Sequence, residues 1–161
     1  MITLERTSDL ELVKKIVTDA RIWQQMSDDF APAREEYNPP ADGAVYVLAL
    51  EDGEPKGCWI LVPRSAIRLE IHTCLLPSLR GRKALEAALL MAEWIWQNTA
   101  CESLVTEIPE TNKAALWFAR RSGMAQFGRE PKCVRKNGVL WDSVLLALHR
   151  PASKPPTHDQ T

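Results

Sequence analysis

Residues 69–96 read LEIHTCLLPSLRGRKALEAALLMAEWIW, and this stretch decides the fold. Its β-branched and apolar residues predict a strand from Leu69 to Leu76, which Pro77 ends. A basic turn up to Gly81 then leads directly into a long amphipathic helix. Such a geometry aims backbone N–H groups and the positive end of a helix at one spot, which suits a phosphate. The alternative is an ordinary strand-to-helix connection with solvated arginine and lysine side chains.

The helix after this turn is predicted from Arg82 to Asn98. At helical spacing its buried stripe comprises Leu85, Ala88, Leu89, Ala92 and Trp96. The chain then crosses over to a strand from Ser103 to Ile108. A strand, helix and strand in this order place the two strands parallel and adjacent.

The segments before and after this unit predict further strands and helices. Before it come a strand (Ile2–Glu5), a helix begun by a Ser8–Glu11 capping box, a helix (Ala20–Met26), a loop (Phe30–Gly43) and a hairpin (44–50 and 56–62). After it come a helix (Asn112–Arg121) that stops at Gly123, and two strands (Gln126–Arg129 and Leu140–Leu148). The proline-rich tail from 151 to 161 is predicted to be disordered.

Length, charge and hydropathy indicate a single globular domain and argue against a nucleic-acid-binding or membrane-spanning protein. The 161 residues suit one domain with a real core, and the formal net charge of −1 provides no global field for nucleic acid or an anionic membrane. The acidic N-terminus MITLERTSDLE does not resemble a signal peptide. No stretch approaches the roughly 18 apolar residues of a membrane span.

The cysteines and histidines predict no metal site. The four cysteines form no C-x-x-C pair, and the three histidines have no metal-ligand spacing. Three of the four cysteines, which are Cys58, Cys74, Cys101 and Cys133, lie in apolar or strand-like runs, and buried packing is expected for those three. Scattered reduced thiols indicate a cytoplasmic protein.

The order of elements and three local motifs resemble the GNAT superfamily of acetyl-CoA-dependent acetyltransferases. The motifs are the hairpin turn EDGEPKG, the run from Pro77 to Arg80-Gly81 before a long helix, and Asn112 and Ala115 followed by Gly123-Met124. The run EIHTCLLPS also resembles small members that bacteriophages often encode. The resemblance implies a single α/β (α+β) domain over residues 1–150, with a mixed sheet of about six to seven strands flanked by helices. It also implies acetyl transfer from acetyl-CoA to a primary amine of a small molecule or protein.

The resemblance carries cofactor-binding roles to particular residues. The N–H groups of Leu75 and Leu76 would serve the thioester carbonyl and the pantetheine arm. The amides of Arg80, Gly81, Arg82, Lys83 and Ala84 would hold pyrophosphate, with Lys83 adding charge. Asn112 would hydrogen-bond pantetheine, or else it only caps the helix that it begins.

Two ionisable residues on the central strand are the predicted catalytic pair. Glu70 and His72 lie two residues apart, on one face of a strand. Histidine is the side chain suited to proton transfer near neutral pH, so His72 would accept the proton of the amine, whereas Glu70 would act through water or orient the cation. The alternative is a buried pair with a structural role. Thr73 points to the other face and is not included.

Two departures from the family motifs keep a second function open. The glycine positions of the family's phosphate loop fall on Lys83 and Leu85, and Ala119 takes the place of the tyrosine that protonates the leaving thiolate in many members. A CoA-binding module without catalysis is therefore an alternative.

A third function, modification of nucleic acid on the same fold, rests on a local basic stretch. This stretch comprises Arg129, Lys132, Arg135 and Lys136. The net charge and the lack of an aromatic–basic repeat argue against it. Because Trp94 and Trp96 cannot both face the core, one of them is a candidate for a partner surface such as a homodimer interface.

Overall fold

The computed structural model describes residues 1–152, so residues 153–161 of the predicted tail lie outside the described part. The strands and α-helices, in chain order, are β1 (Ile2–Thr7), α1 (Leu10–Val17), α2 (Ala20–Met26), β2 (Val45–Glu51), β3 (Glu54–Ser65), β4 (Arg68–Leu75), α3 (Gly81–Asn98), β5 (Ser103–Pro109), α4 (Lys113–Arg121), β6 (Ala125–Lys136) and β7 (Val139–His149). A short 3-10 turn (Arg34–Glu36) interrupts the long loop before β2.

The strands form one mixed sheet in the order β1-β2-β3-β4-β5-β7-β6. Neighbouring strands are antiparallel except β4 and β5, which pair in parallel because α3 crosses over between them. The structure therefore confirms the predicted mixed sheet with flanking helices, and also the predicted parallel pair at its centre.

Helices cover both faces of the sheet. On one face Trp59, Leu61 and Ile71 pack against α3, and on the opposite face Ile60 and Cys74 pack against α1. This division follows from the period of two along β3 and β4, which sends successive side chains to opposite faces. Helix α4 lies on the α3 face and packs against a separate small cluster on β5 and β7.

The predicted buried stripe of α3 was wrong by one position. The structure buries Ala84, Ala87, Met91 and Ile95, whereas Leu89 is 60% exposed. Apolar residues occur on more than one side of this helix, so spacing alone did not fix which side faces the sheet. Alanines at two of the four positions allow the helix to approach the sheet closely. Ala88 and Ala92, from the predicted stripe, instead line a cleft that is described below.

Two other expectations need correction. Asp9, not Ser8, caps α1, because its Oδ1 accepts the Leu12 N–H at 3.0 Å. Strand β6 is also much longer than predicted and continues through two irregularities in its pairing with β7. Such bulges allow a strand to pass residues, here including Pro131, that a regular ladder would not accept.

The C-terminal end of α3 is closed by Arg150, which follows the last strand. Its guanidinium donates to the carbonyl oxygens of Trp96, Thr99 and Cys101 at 2.8, 2.9 and 3.0 Å. It also lies over the Trp96 ring. These bonds satisfy carbonyl groups that the end of a helix otherwise leaves without partners.

The predicted burial of three cysteines is confirmed. Cys58, Cys74 and Cys101 are buried, Cys133 is exposed, and all four are free thiols. Among residues 1–152, no helix is both long and apolar enough to cross a membrane.

Candidate active site

Strands β4 and β5 separate soon after they meet. They pair only from Arg68 to Glu70 on β4, although β4 continues to Leu75 and β5 continues to Pro109. The gap between them holds a cleft of about 410 Å³ that reaches both faces of the sheet. We call this space the cleft.

The gap leaves backbone N–H groups of β4 available to a ligand. The Leu76 N–H is donated to the Lys56 carbonyl at 2.9 Å, which is in register with the ladder between β3 and β4. Because hydrogen bonds alternate along an antiparallel strand, the N–H groups of Thr73 and Leu75 point away from β3, into the gap. Of the two amides predicted to bind the thioester and pantetheine, that of Leu75 is thus available and that of Leu76 is already used.

A second space, which we call the groove, continues the cleft on the α3 face. It runs between the end of β4, the start of α3 and one side of α4, with walls that include Leu75, Leu76, Arg80, Gly81, Trp117 and Phe118. Gln25, Thr73, Ala115 and Phe118 line both spaces, so the cleft and the groove are continuous.

The start of α3 opens into this groove. Arg80 is the N-cap residue, and its side chain makes no capping hydrogen bond with the first turn; no other side chain of the described residues accepts one there. The first N–H groups of the helix are therefore without side-chain partners, at its positive end. Gly81 has φ +59°, a left-handed conformation that a glycine adopts at little cost. The turn and the open helix N-terminus predicted from the sequence are thus present in the backbone.

The five residues predicted to hold pyrophosphate do not all lie in the groove. Arg80, Gly81 and Ala84 line it, whereas Arg82 and Lys83 do not. The Lys83 ammonium forms an ion pair with Glu51, and this hydrogen bond raises the pKa of Lys83. Its charge is therefore directed to the end of β2.

The groove and the cleft have opposite charges. Among the residues described, the groove is lined by two arginines, Arg21 and Arg80, and by no carboxylate. Within residues 1–152, the cleft is lined by three carboxylates, Asp28, Glu70 and Glu107, and by no lysine or arginine. An anion is thus favoured at one end of the continuous space and a cation at the other.

Glu70 and His72, the predicted catalytic pair, lie together in the cleft. His72 Nε2 is 2.9 Å from Glu70 Oε1, and the other carboxylate oxygen of Glu70 accepts from Arg64 Nε at 2.6 Å. A neutral His72 that donates its Nε2–H to Glu70 keeps a lone pair on Nδ1. The arrangement leaves Glu70 to orient the imidazole, and it leaves His72 as the group that can accept a proton.

Asn112 caps α4 and also borders the cleft. Its Oδ1 accepts the Ala115 N–H at 3.1 Å, so the predicted capping role is confirmed. The side-chain Nδ2 makes no hydrogen bond within residues 1–152 and remains free to donate. The cap and a hydrogen bond to pantetheine are therefore compatible.

Several lining residues were not identified from the sequence. Thr73, which the sequence placed on the other face from His72, is on that face but lines both the cleft and the groove. Arg21 comes from α2, and Glu107 and Ser143 come from β5 and β7. The pairing of β5 with β7 brings Glu107 and Ser143 to the gap, although the period of two along these strands was available as a signal.

One group in the described chain has the composition of a metal site, although the sequence predicted none. The ligand atoms of Glu107, Glu130 and Cys133 lie within 4.8 Å of one another at the rim of the cleft, and all three residues are exposed. The pairing of β5 with β7 and of β7 with β6 brings these three residues together. Their spacing in the sequence matches no metal motif, so the sequence contained no signal for this group.

The fold resembles solved acetyltransferase structures at low sequence identity. It matches spermidine N-acetyltransferase from Vibrio cholerae in complex with CoA and spermine (TM-score 0.74, 12% identity, 92% of this chain and 95% of that chain). It also matches a GNAT-family acetyltransferase from Bacillus anthracis (TM-score 0.70, 14% identity, 92% and 94%) and a Salmonella typhimurium protein solved with its cofactor acetyl-CoA (0.69, 14%, 98% and 99%). No family model and no curated protein matches the chain. These structures establish the fold that the sequence motifs predicted.

Proposed function

We propose that the chain is an acetyl-CoA-dependent N-acetyltransferase that moves an acetyl group directly to a primary amine of a small molecule or protein. One observation carries the proposal. A groove with an open helix N-terminus and two arginines continues, through a gap in the sheet, into a cleft that holds a histidine–glutamate pair. An anionic cosubstrate and a cationic acceptor would thus meet at the sheet from opposite faces. The fold shared with acetyltransferases supports this function.

The groove suits CoA from its pyrophosphate to its thioester. The uncapped amides at the start of α3 and the Arg80 side chain would hold the pyrophosphate. The pantetheine arm would run past Leu75, whose N–H points into the gap, and past the free Nδ2 of Asn112. The N–H of Thr73 is placed to receive the negative charge that develops on the thioester oxygen during attack.

His72 would act as the general base. An amine must lose a proton to attack the thioester, and an unperturbed histidine titrates closer to neutral pH than a glutamate does. Glu70 accepts the Nε2–H and directs Nδ1 outward, so it serves as a positioning residue. The carbon–nitrogen bond forms, the carbon–sulfur bond breaks, and the CoA thiolate leaves.

The protonation state of Cys74, the cysteine on β4, favours direct transfer over transfer through an acetyl-cysteine intermediate. A hydrogen bond with Cys58, and then burial, raise the pKa of Cys74 well above its usual value. This thiol therefore remains protonated at neutral pH and is a poor nucleophile.

A CoA-binding module without catalysis is the second candidate, and Ala119 is the observation that favours it. This residue is buried and lines the cleft at the position where the motif predicts a tyrosine acid. The described lining of the cleft contains hydroxyl groups of threonine and serine but no tyrosine. Protonation of the thiolate would then come from solvent.

The hypothesis that the protein modifies nucleic acid is weakened because two cations of the basic stretch already have partners elsewhere in the chain. Arg129 pairs with both Glu110 and Asp142, and Lys136 Nζ donates to the Gln24 carbonyl. Fewer free cations thus remain for phosphates. A phage origin, a cytoplasmic location and a homodimer stay predictions from the sequence.

Thiol release tests the proposal. With acetyl-CoA and a panel of primary amines, we expect CoA thiol to form only when an amine is present. His72→Ala should lower turnover by roughly 10²-fold while acetyl-CoA affinity is preserved, and Glu70→Gln should lower it less. His149→Ala, which changes a histidine outside the cleft, is the matched control. A rise in melting temperature with acetyl-CoA but no thiol release with any amine would favour the binding module, and no rise at millimolar acetyl-CoA would exclude both functions.

A further inference from the structure

The three carboxylates of the cleft all lie on the face of the sheet away from α3 and α4. Glu70 shares its face of β4 with Cys74, which packs toward α1. Glu107 alternates with Ile108, which packs against α4, so it points the opposite way. Asp28 comes from the segment after α2, on this same face. The acidic charge is therefore concentrated where an acceptor would enter, opposite the groove.

We call these three residues the acidic wall; within residues 1–152, neither Glu107 nor Asp28 forms an ion pair, and Glu107 is the one that lies on β5. Glu70 is paired with Arg64 and His72, whereas Glu107 forms no ion pair with any lysine or arginine of residues 1–152. The Cys133 thiol lies 3.7 Å from Glu107 Oε1, and a carboxylate oxygen of Glu130 lies within 4.8 Å of the Glu107 carboxylate. Two carboxylates this close repel each other, and a bound cation relieves the repulsion.

A buried hydroxyl on the same wall independently indicates a polar ligand. Ser143 is fully buried and lines the cleft, and its Oγ has no hydrogen-bond partner within the described chain. The next residue, Val144, packs toward α4. Because successive side chains of a strand point to opposite faces, Ser143 points to the face of the sheet that carries the three carboxylates. A buried hydroxyl without a partner is unfavourable, so a ligand group that bonds to it gains affinity.

From this wall we propose that the acceptor is a small amine with a second positive charge, such as a linear diamine. The distal ammonium is held by Glu107 with Glu130 and donates to the Ser143 hydroxyl, and the chain of the amine then brings the reacting nitrogen to His72. A carboxylate on the acceptor would instead meet like charge. The proposal rests on the proposed acetyl transfer, because it assigns the acceptor for that same site.

Three four-carbon amines separate the effect of charge from that of size. They are 1,4-diaminobutane, 1-aminobutane and 4-aminobutanoate, each assayed by thiol release at fixed acetyl-CoA and low salt. We expect kcat/KM to fall by about tenfold or more at each step in that order, after the factor of two for the two equivalent amines of the diamine is removed. Added salt should shrink the ratios, because the ammonium lies at an exposed rim.

Glu107→Gln should lower the preference for the diamine over the monoamine by about tenfold. Glu5→Gln, an exposed glutamate on β1 at the far edge of the sheet, is the matched control and should keep the wild-type preference. An unchanged preference in Glu107→Gln would overturn the assignment to this wall. Equal kcat/KM for the three amines, or preference for 4-aminobutanoate, would overturn the proposal while leaving acetyl transfer intact.

Calorimetric titration of 1,4-diaminobutane into the CoA-loaded protein tests the charge argument without catalysis. Binding that Glu107→Gln weakens, in a protein that releases no thiol, would support the acidic wall and count against transfer. Absence of both binding and thiol release would overturn the two together.

Discussion

Helices α3 and α4 both begin beside the same continuous space, and they treat their first N–H groups differently. At α4, Asn112 Oδ1 accepts the Ala115 N–H, so the helix caps itself. At α3, the N-cap residue is Arg80, whose side chain can only donate, and no side chain in the described part of the chain caps the helix. Helices α1 and α2 are also capped, by Asp9 and Asp19. The difference teaches that the open end of α3 is an exception, which an anionic ligand rather than the chain itself would complete.

The largest effect is expected when the cap of α4 is copied onto α3. Arg80→Asp removes a cation, adds an anion and supplies a capping oxygen, at a position that already has the extended backbone of an N-cap. Acetyl-CoA affinity should fall by about 10- to 100-fold, because one charge-assisted contact is replaced by repulsion. The free energy of unfolding of the apo protein should rise by about 1 kcal/mol. Calorimetric titration and urea denaturation measure the two quantities.

Arg80→Gln is the control for this variant, since it removes the charge without adding a good cap. It should weaken acetyl-CoA binding less and leave stability nearly unchanged. Wild-type affinity in Arg80→Asp would show that the open helix end is not the phosphate site.

A smaller effect is expected from Gly81, which turns the chain into α3. Gly81→Ala places a Cβ at φ +59°, which should cost about 1–2 kcal/mol of stability and also weaken acetyl-CoA by distorting the first turn. Gly138→Ala, at φ +76° in the turn between β6 and β7, is the matched control. It should destabilise the protein similarly but bind acetyl-CoA normally. Equal affinities in the two variants would mean that the conformation at Gly81 serves only the fold.

At α4 the cap and the free donor of Asn112 can be removed separately. Asn112→Ala should lower the free energy of unfolding by about 1 kcal/mol, because the first turn loses its acceptor. Asn112→Asp keeps the acceptor and removes only the Nδ2 donor, so its stability should match wild type. A fall in acetyl-CoA affinity in Asn112→Asp would assign Nδ2 to pantetheine. Unchanged affinity would leave Asn112 as a cap alone.

The smallest effect is expected from Lys83. Because its ammonium is paired with Glu51 outside the groove, Lys83→Gln should change acetyl-CoA affinity by less than about twofold. A tenfold loss, measured by the same titration, would show that this lysine leaves Glu51 to reach the ligand.

The sequence predicted the parts of the site that are local. The strand, the turn at Arg80-Gly81 and the start of α3 are contiguous, so propensity and the helix N-terminus were sufficient to place them. The pair Glu70 and His72 followed from the period of two along one strand.

What the sequence did not predict depends on tertiary packing. The stripe of α3 was displaced because Leu85 and Leu89 offer an apolar side next to the one that the sheet selects. Glu107 and Ser143 lie far apart in sequence and meet only because β5 pairs with β7 rather than with β6. The register of β4 with β3 likewise decides which N–H groups of β4 remain free, and the sequence alone did not give this register.

The contacts of Arg150 with the C-terminal end of α3 can form only late in the synthesis of the chain. The Arg150 guanidinium closes the C-terminal turn of a helix that ends at Asn98, about fifty residues earlier. During translation, the carbonyl groups of Trp96, Thr99 and Cys101 therefore lack this partner until β5, α4, β6 and β7 have all been made. The helix that would bind the cosubstrate at its first turn thus gains the contacts of Arg150 at its other end only after the last strand of the sheet.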